Sequence, residues 1–339
     1  MSGSRPEMQR QDEVLPDAVL AFLRGAGLAA ADEKPAAMAL AGGVSSDIWK
    51  VQLRSGAICV KRALPRLRVA QLWEAPVERN IYERRWLETA ARIVPGIAPR
   101  VLAASDSGFF AMECLDALPL WKAELRAGRA VPEFARRVGT ALAKVHAATA
   151  DDAAVAARFA TDAGFHAIRL EPYLLAAARA HPDLAAPLHA LAARTAATRR
   201  ALVHGDVSPK NLLVGPDGPV FLDAECAWFG DPAFDPAFCL NHLLLKCLWV
   251  PQAREGFLAC FDALAGAYLA GAHWEPRAVL EARIASLLPG LLLARVDGKS
   301  PVEYLADDDA RDRVRRAARA LLLAPPASLR EVLDTWRKS

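Results

Sequence analysis

The sequence predicts an α+β protein of two lobes, with residues 1–115 rich in strands and residues 116–339 mainly helical. Three observations carry this. Apolar and polar residues alternate over Ile48–Arg54, as in a half-buried strand. From Trp121 onward the chain changes to long Ala/Leu/Arg-rich segments with helical periodicity. Two apolar runs around the turn Gly215-Pro216-Asp217-Gly218 read as a single hairpin set among those helices. Strands first and helices after is the order of a segregated α+β chain.

In chain order, Leu15–Leu28 reads as a short helix ended by glycine. Within Ile48–Arg54, Trp49, Val51 and Leu53 face one side and Lys50, Gln52 and Arg54 the other. Ser55-Gly56 is a turn, and Ala57–Lys61 returns as a second strand. A helix is expected over Val77–Arg92, ending before Pro95, and a strand over Phe109–Leu115. The helical segments that follow are Pro132–Ala148, Pro172–Ala201, Ala253–Ala270 and Ala278–Leu293. The acidic run Asp307–Asp309 reads as a solvated face or the start of a helix.

A chain of 339 residues, 53% hydrophobic, suits one large domain or two unequal lobes around a cleft. Its net charge of +3, with scattered basic residues, offers no field to recruit nucleic acid or an anionic membrane. The N-terminus is polar, and the greasiest stretches, Ala237–Val250 and Leu287–Ala294, are too short to span a bilayer. A cytoplasmic protein is expected. The six cysteines include no CxxC pair and no Cys/His cluster with zinc-ligand spacing; they read as buried small apolar residues in a reducing compartment.

The chemistry concentrates in His204-Gly205-Asp206-Val207-Ser208-Pro209-Lys210-Asn211 and the hairpin after it. With the loop at 215–218, Val214 faces Pro219 and Asn211 faces Leu222, so Asp223 lies diagonal to Asn211. An amide oxygen and a carboxylate side by side make a hard-oxygen pair for Mg²⁺. Asp206, five residues before Asn211, then stands next to the metal, where it can orient a substrate hydroxyl and accept its proton.

This H-x-D-x₄-N loop followed by a strand-borne Asp resembles the phosphoryl-transfer machinery of kinases. With Gly second, it resembles the aminoglycoside phosphotransferase and choline kinase superfamily, as do Leu222–Glu225 and Gly230–Asp235. The resemblance implies a protein-kinase-like fold, with a small antiparallel-sheet N-lobe and a helical C-lobe, and the cofactors ATP and Mg²⁺. Upstream, Leu40–Val51 resembles the family's nucleotide-covering loop, which makes Gly43, Ser45 and Ser46 candidate phosphate binders. Lys61 then matches the lysine that reaches the α- and β-phosphates. Its acidic partner is Glu83, preferred over Glu78; the stretch from Glu83 through Trp86-Leu87 to Pro99 resembles methylthioribose kinases. Phe109–Leu115 resembles the last N-lobe strand and hinge, which implies that the Glu113 carbonyl and the Leu115 N–H receive adenine. The match runs from about Gly42 to Asp235, and the C-terminal third matches more loosely.

Other residues take supporting roles. His146 reads as a packing histidine, His204 as a holder of the loop, and Asp235 as its anchor through backbone contacts. Lys210 is placed either to touch the γ-phosphate or to stand in solvent. On this reading Asp206 activates an acceptor hydroxyl, and catalysis is positioning plus charge neutralisation. Two rivals remain, a nucleotide-binding pseudokinase scaffold and a protein kinase. Every expected catalytic position is filled, against the first. The long insert Asp151–Arg200 and the lack of an Ala-Pro-Glu activation segment weigh against the second.

The expected acceptor is a small molecule: a sugar, an amino alcohol or an antibiotic-like compound. Residues 151–200 hold five acids and six arginines, which argues against a polycationic aminoglycoside. Candidate acceptor contacts are Glu225, beside the hairpin, and Arg295 and Asp297. These last two sit where the apolar run Leu287–Ala294 gives way to charged residues and a turn at Gly298 and Pro301. Arg295 would favour a carboxylate, a phosphate or several hydroxyls over a cation.

Overall fold

Helix α1 (Asp17–Gly25) opens the first unit and buries Val19 and Leu23. A computed structural model describes residues 15–40, 46–64 and 77–339. Strands β1 (Ala36–Ala39), β2 (Ser46–Leu53) and β3 (Gly56–Ala63) follow. Helix α2 (Arg79–Ile93) comes next, then β4 (Val101–Ala104) and β5 (Phe109–Glu113). The strands form one antiparallel sheet in the order β1-β2-β3-β5-β4. The alternation read from the sequence decides its buried face. Trp49, Val51, Leu53, Ile58 and Val60 form a core with Val19 and Leu23 of α1. Lys61 alternates with Val60 and sits opposite Phe110 in the β3–β5 register.

The chain divides into one unit of Met1–Arg84 with Pro99–Leu115, and a second of Arg85–Ala98 with Asp116–Ser339. Residues 85–98 therefore group with the helical unit rather than with the strands on either side of them. The reason is packing: Trp86 is fully buried, edge-on to His204 and close to Phe221. The Ile97 carbonyl also accepts from the Phe221 N–H.

In the second unit α3 (Trp121–Arg126), α4 (Pro132–Thr149), α5 (Ala153–Arg158) and α6 (Asp162–Phe165) lead into a π-helical stretch, His166–Leu175. Helices α7 (Ala176–Ala180) and α8 (Ala185–Ala197) complete the insert. Short strands β6 (Ala201–Val203) and β9 (Trp228–Gly230) pair antiparallel, and between them β7 (Leu212–Val214) and β8 (Pro219–Phe221) form the hairpin. Its register, Val214 opposite Pro219, is the one the sequence predicts. The remaining helices are α9 (Phe234–Trp249), α10 (Arg254–Gly271), α11 (Arg277–Asp297), α12 (Asp308–Leu323) and α13 (Leu329–Lys338). Helix α4 packs closely on α10, where a Cβ at Gly139 would lie 2.3 Å from the Leu264 carbonyl oxygen. Asp307 caps α12 by accepting from the Ala310 N–H, so the acidic run is a helix start.

Two helical expectations change. The segment expected over Pro172–Ala201 breaks at His181-Pro182 and ends at Ala197, with Ala201 in β6. The helix expected to end at Leu293 continues to Asp297, because Ala294, Arg295 and Val296 remain buried against the rest of the unit. Among the described residues no helix is long and apolar enough to cross a membrane.

Candidate active site

In the second unit the segment 204–211 is held from below. Asp235, fully buried at the start of α9, accepts from the His204 N–H at 2.7 Å and the Gly205 N–H at 2.8 Å. His146 approaches the same carboxylate at 3.2 Å and has Tyr268 on its other ring nitrogen. His204 accepts from the Asp206 N–H on Nδ1, and its Nε2 donates to the Leu222 carbonyl. That pattern requires the neutral ring, and burial pushes its pKa down, against the pull of Asp235, Asp206 and Asp223. Gly205 stands at φ +79°, and a Cβ there would meet the Cys226 carbonyl oxygen at 2.6 Å. Glycine is thus demanded by both backbone angle and space.

Asp206 is buried at the centre of this loop. Its carboxylate lies 3.1 Å from Arg169 and 3.2 Å from the Lys210 ammonium, and accepts from Asn211 Nδ2 at 2.8 Å. Burial raises its pKa, but Arg169 and then Lys210 outweigh it, and the group is held below the usual carboxylate range. Asp206 in turn holds the Lys210 ammonium above its ordinary pKa. Lys210 is half exposed and aims its charge at Asp206. The Leu222 N–H donates to the Asn211 carbonyl at 2.9 Å, which puts Asp223 just past the hairpin, as expected. Asp223 adopts the left-handed conformation, φ +63°, so the chain turns sharply at that carboxylate. Glu225 follows in the next turn, in the field of Arg169.

Arg169 escaped the sequence reading, where it was one of six arginines in the insert. Its place follows from Pro172. In an α-helix the Ile168 carbonyl would accept from residue 172, and proline has no N–H to give. The helix widens here, and Arg169 Nη1 donates to the Ile168 carbonyl at 2.7 Å. Its Nε donates to the Gly205 carbonyl, and its guanidinium lies over Tyr173 and Phe238, 5.7 Å from each ring centre. The X-Pro signal inside an apolar helix was the available clue.

In the first unit Lys61 and Glu83 are both buried and paired at 2.7 Å, so the sequence's preference for Glu83 over Glu78 matches the pairing. Ser46 is buried, and its Oγ has no hydrogen-bond partner among the described residues. Gly43 and Ser45 lie outside the described residues. Glu113 ends β5, its N–H donating to the Arg100 carbonyl, and Leu115 lies two residues further. Arg295 is buried in the last turn of α11, donating to Ser300 and to the Tyr173 hydroxyl. Asp297 is engaged by His181 at 2.8 Å and Arg315 at 2.7 Å.

A glycine-bearing loop with a buried Asp, an Asn five residues on and an Asp past the hairpin defines a phosphotransferase of the protein-kinase-like class. A model of the phosphotransferase enzyme family APH matches residues 37–280, and the chain belongs to that family, whose members similar to it are small-molecule kinases. A methylthioribose kinase of Klebsiella pneumoniae is 27% identical over 278 residues, covering 74% of this chain and 69% of that protein. Two solved structures share the fold. A choline kinase of Cryptosporidium parvum has a TM-score of 0.59 at 12% identity, covering 91% of this chain and 97% of that one. An amicoumacin kinase, in complex with AMP-PNP, Ca²⁺ and Ami, has 0.57 at 14% identity, covering 93% of this chain and 96% of that one.

Proposed function

We propose that the protein transfers the γ-phosphoryl group of ATP, with Mg²⁺, to a hydroxyl of a small molecule. The observation that carries this is the Asp206 carboxylate, buried and tied to Asn211 beside two cations. A charged carboxylate there orients the acceptor hydroxyl and takes its proton late, as suits a loose phosphoryl-transfer transition state. Lys210, beside it, would meet charge developing on the transferred group.

The donor set suits Mg²⁺. Among the described residues no three His, Cys, Asp or Glu side chains gather as a metal cluster. Mg²⁺ asks for less, since it keeps several waters and substrate phosphate oxygens beside one or two protein oxygens. Both hydrogen bonds of the Asn211 amide use its nitrogen, which leaves Oδ1 for a cation, and Asp223 supplies the carboxylate. Such an ion neutralises phosphate charge. For ATP, Lys61 oriented by Glu83 would hold the phosphates, helped by Ser46. The Glu113 carbonyl and Leu115 N–H would take adenine.

The test is Asp206→Asn with Asp223→Ala. Asp206→Asn should bind ATP normally and lose turnover by at least about a hundredfold. Asp223→Ala should lose the Mg²⁺ dependence of nucleotide binding. Normal turnover in the first, or Mg²⁺ titrations of the second that overlay the wild type, would refute these roles.

A further inference from the structure

Beyond the hairpin, α9 buries two ionisable side chains one turn apart, His242 at 6% exposure and Lys246 at 1%. Neither makes a hydrogen bond or an ion pair among the described residues. Lys246 Nζ lies 3.4 Å from the Tyr304 ring centre and 4.0 Å from that of Trp249, and the two rings stack on each other. The Tyr304 hydroxyl and the Arg295 Nε are buried without partners as well. Two fully buried polar atoms without a partner, beside two buried ionisable side chains that make no hydrogen bond or ion pair, are costly to hold in one region of a well-packed unit.

The charges facing this region are mostly cations. His242 sits in the field of Arg295, Lys246, Lys210 and Lys122. Arg126 of α3 lies over Trp249. Nearby acids are already engaged: Glu303 by Lys122, Asp206 by Arg169 and Lys210, and Asp297 by His181 and Arg315. The region also adjoins the proposed base. Tyr173 is shared by Arg169, which holds Asp206, and by Arg295.

We propose that His242, Lys246, Arg295 and Tyr304 form the recognition site for an oxyanion, a carboxylate or a phosphate, carried by the hydroxyl acceptor. The assignment rests on Asp206 as the group that meets the acceptor hydroxyl. An incoming anion meets the Arg295 guanidinium, a planar donor, and can accept from Tyr304 and from Lys246. Burial, and next Lys122, hold the Lys246 amine down to about 6, so at pH 7.5 it is mostly neutral. A bound anion restores its proton, so binding draws protons from solution. Arg295, with Lys122 and Lys210 nearby, disfavours cationic acceptors by like-charge repulsion.

The test is calorimetry of the full chain at pH 7.5, in two buffers of different ionisation enthalpy. The nucleotide site is filled with Mg²⁺ and a non-hydrolysable ATP analogue. The probes are inorganic phosphate and three matched small alcohols: glycerate, glycerol and serinol. Phosphate or glycerate should bind with uptake of about one proton, and glycerol and serinol should bind at least about tenfold more weakly. Lys246→Met should abolish the proton uptake and weaken anion binding by about tenfold or more, and Tyr304→Phe should weaken it about two- to fivefold, both with unchanged analogue binding. Wild-type protein that binds neither anion, binds serinol or glycerol as tightly as glycerate, or keeps its anion affinity after Lys246→Met overturns the proposal. Failure of the ATP analogue to bind would instead count against the ATP reading, because the anion titration does not depend on it.

Discussion

Replacing Lys246 by methionine should make the protein more stable, which is unusual for a buried residue of this size. The amine is held down to about 6 from 10.5 in the unfolded chain. At pH 7 the unfolded lysine is protonated and the folded one mostly neutral, so folding must discard a proton. Each pH unit between 7 and 10.5 contributes about 1.4 kcal/mol, for a penalty of up to about 4–5 kcal/mol at pH 7. Methionine keeps the unbranched shape against Trp249 and Tyr304 without that penalty. The sign follows from linkage. Between about pH 6 and 10.5 the unfolded state binds more protons at this position, so wild-type stability rises with pH through that window. Urea denaturation at pH 7 and pH 9.5, without phosphate, measures both. Lys246→Met should exceed wild type by about 2–4 kcal/mol at pH 7, with the gap closing towards pH 9.5. Other groups titrate in both proteins and cancel in the difference. A variant no more stable than wild type at pH 7, or a gap that does not change with pH, would refute the reasoning.

Three further outcomes are expected. Arg169→Met removes the cation that does most to hold Asp206 low, so the acidic limb of the pH–rate profile should move to higher pH; an unmoved limb would separate Arg169 from the base. Lys61→Met and Glu83→Leu each strand a buried charge and should cost about 3–5 kcal/mol in thermal unfolding, while the double variant recovers much of that loss; additive losses would argue against one coupled pair. Asp235→Ala leaves the His204 and Gly205 N–H groups without their acceptor and should lower stability by about 2–4 kcal/mol and turnover with it, read by denaturation and by ADP release.

What was legible in the sequence was local. The sheet alternation needs only neighbouring residues, and so does the hairpin, where the turn at 215–218 sets the register that carries Asn211 to Asp223. The short strands β1, β4, β6 and β9 did not announce themselves, since three or four residues such as Ala36-Ala37-Met38-Ala39 show no period.

The sequence by itself determined the α+β order and the spacing of Asp206, Lys210, Asn211 and Asp223, and it narrowed the partner of Lys61 to Glu83 or Glu78 with a preference for the first. Each depends on a fixed short spacing or on a family motif. Only the tertiary structure decided which of the insert's arginines reaches Asp206, that Glu83 is the partner of Lys61, and that His242 and Lys246 are buried without a hydrogen bond or ion pair among the described residues. The physical reason is distance along the chain. Arg169 stands 37 residues before Asp206, and Tyr304 stands 58 after Lys246. The sequence shows each side chain's chemistry, but its pKa, its partner and its exposure are properties of neighbours that only folding brings within reach.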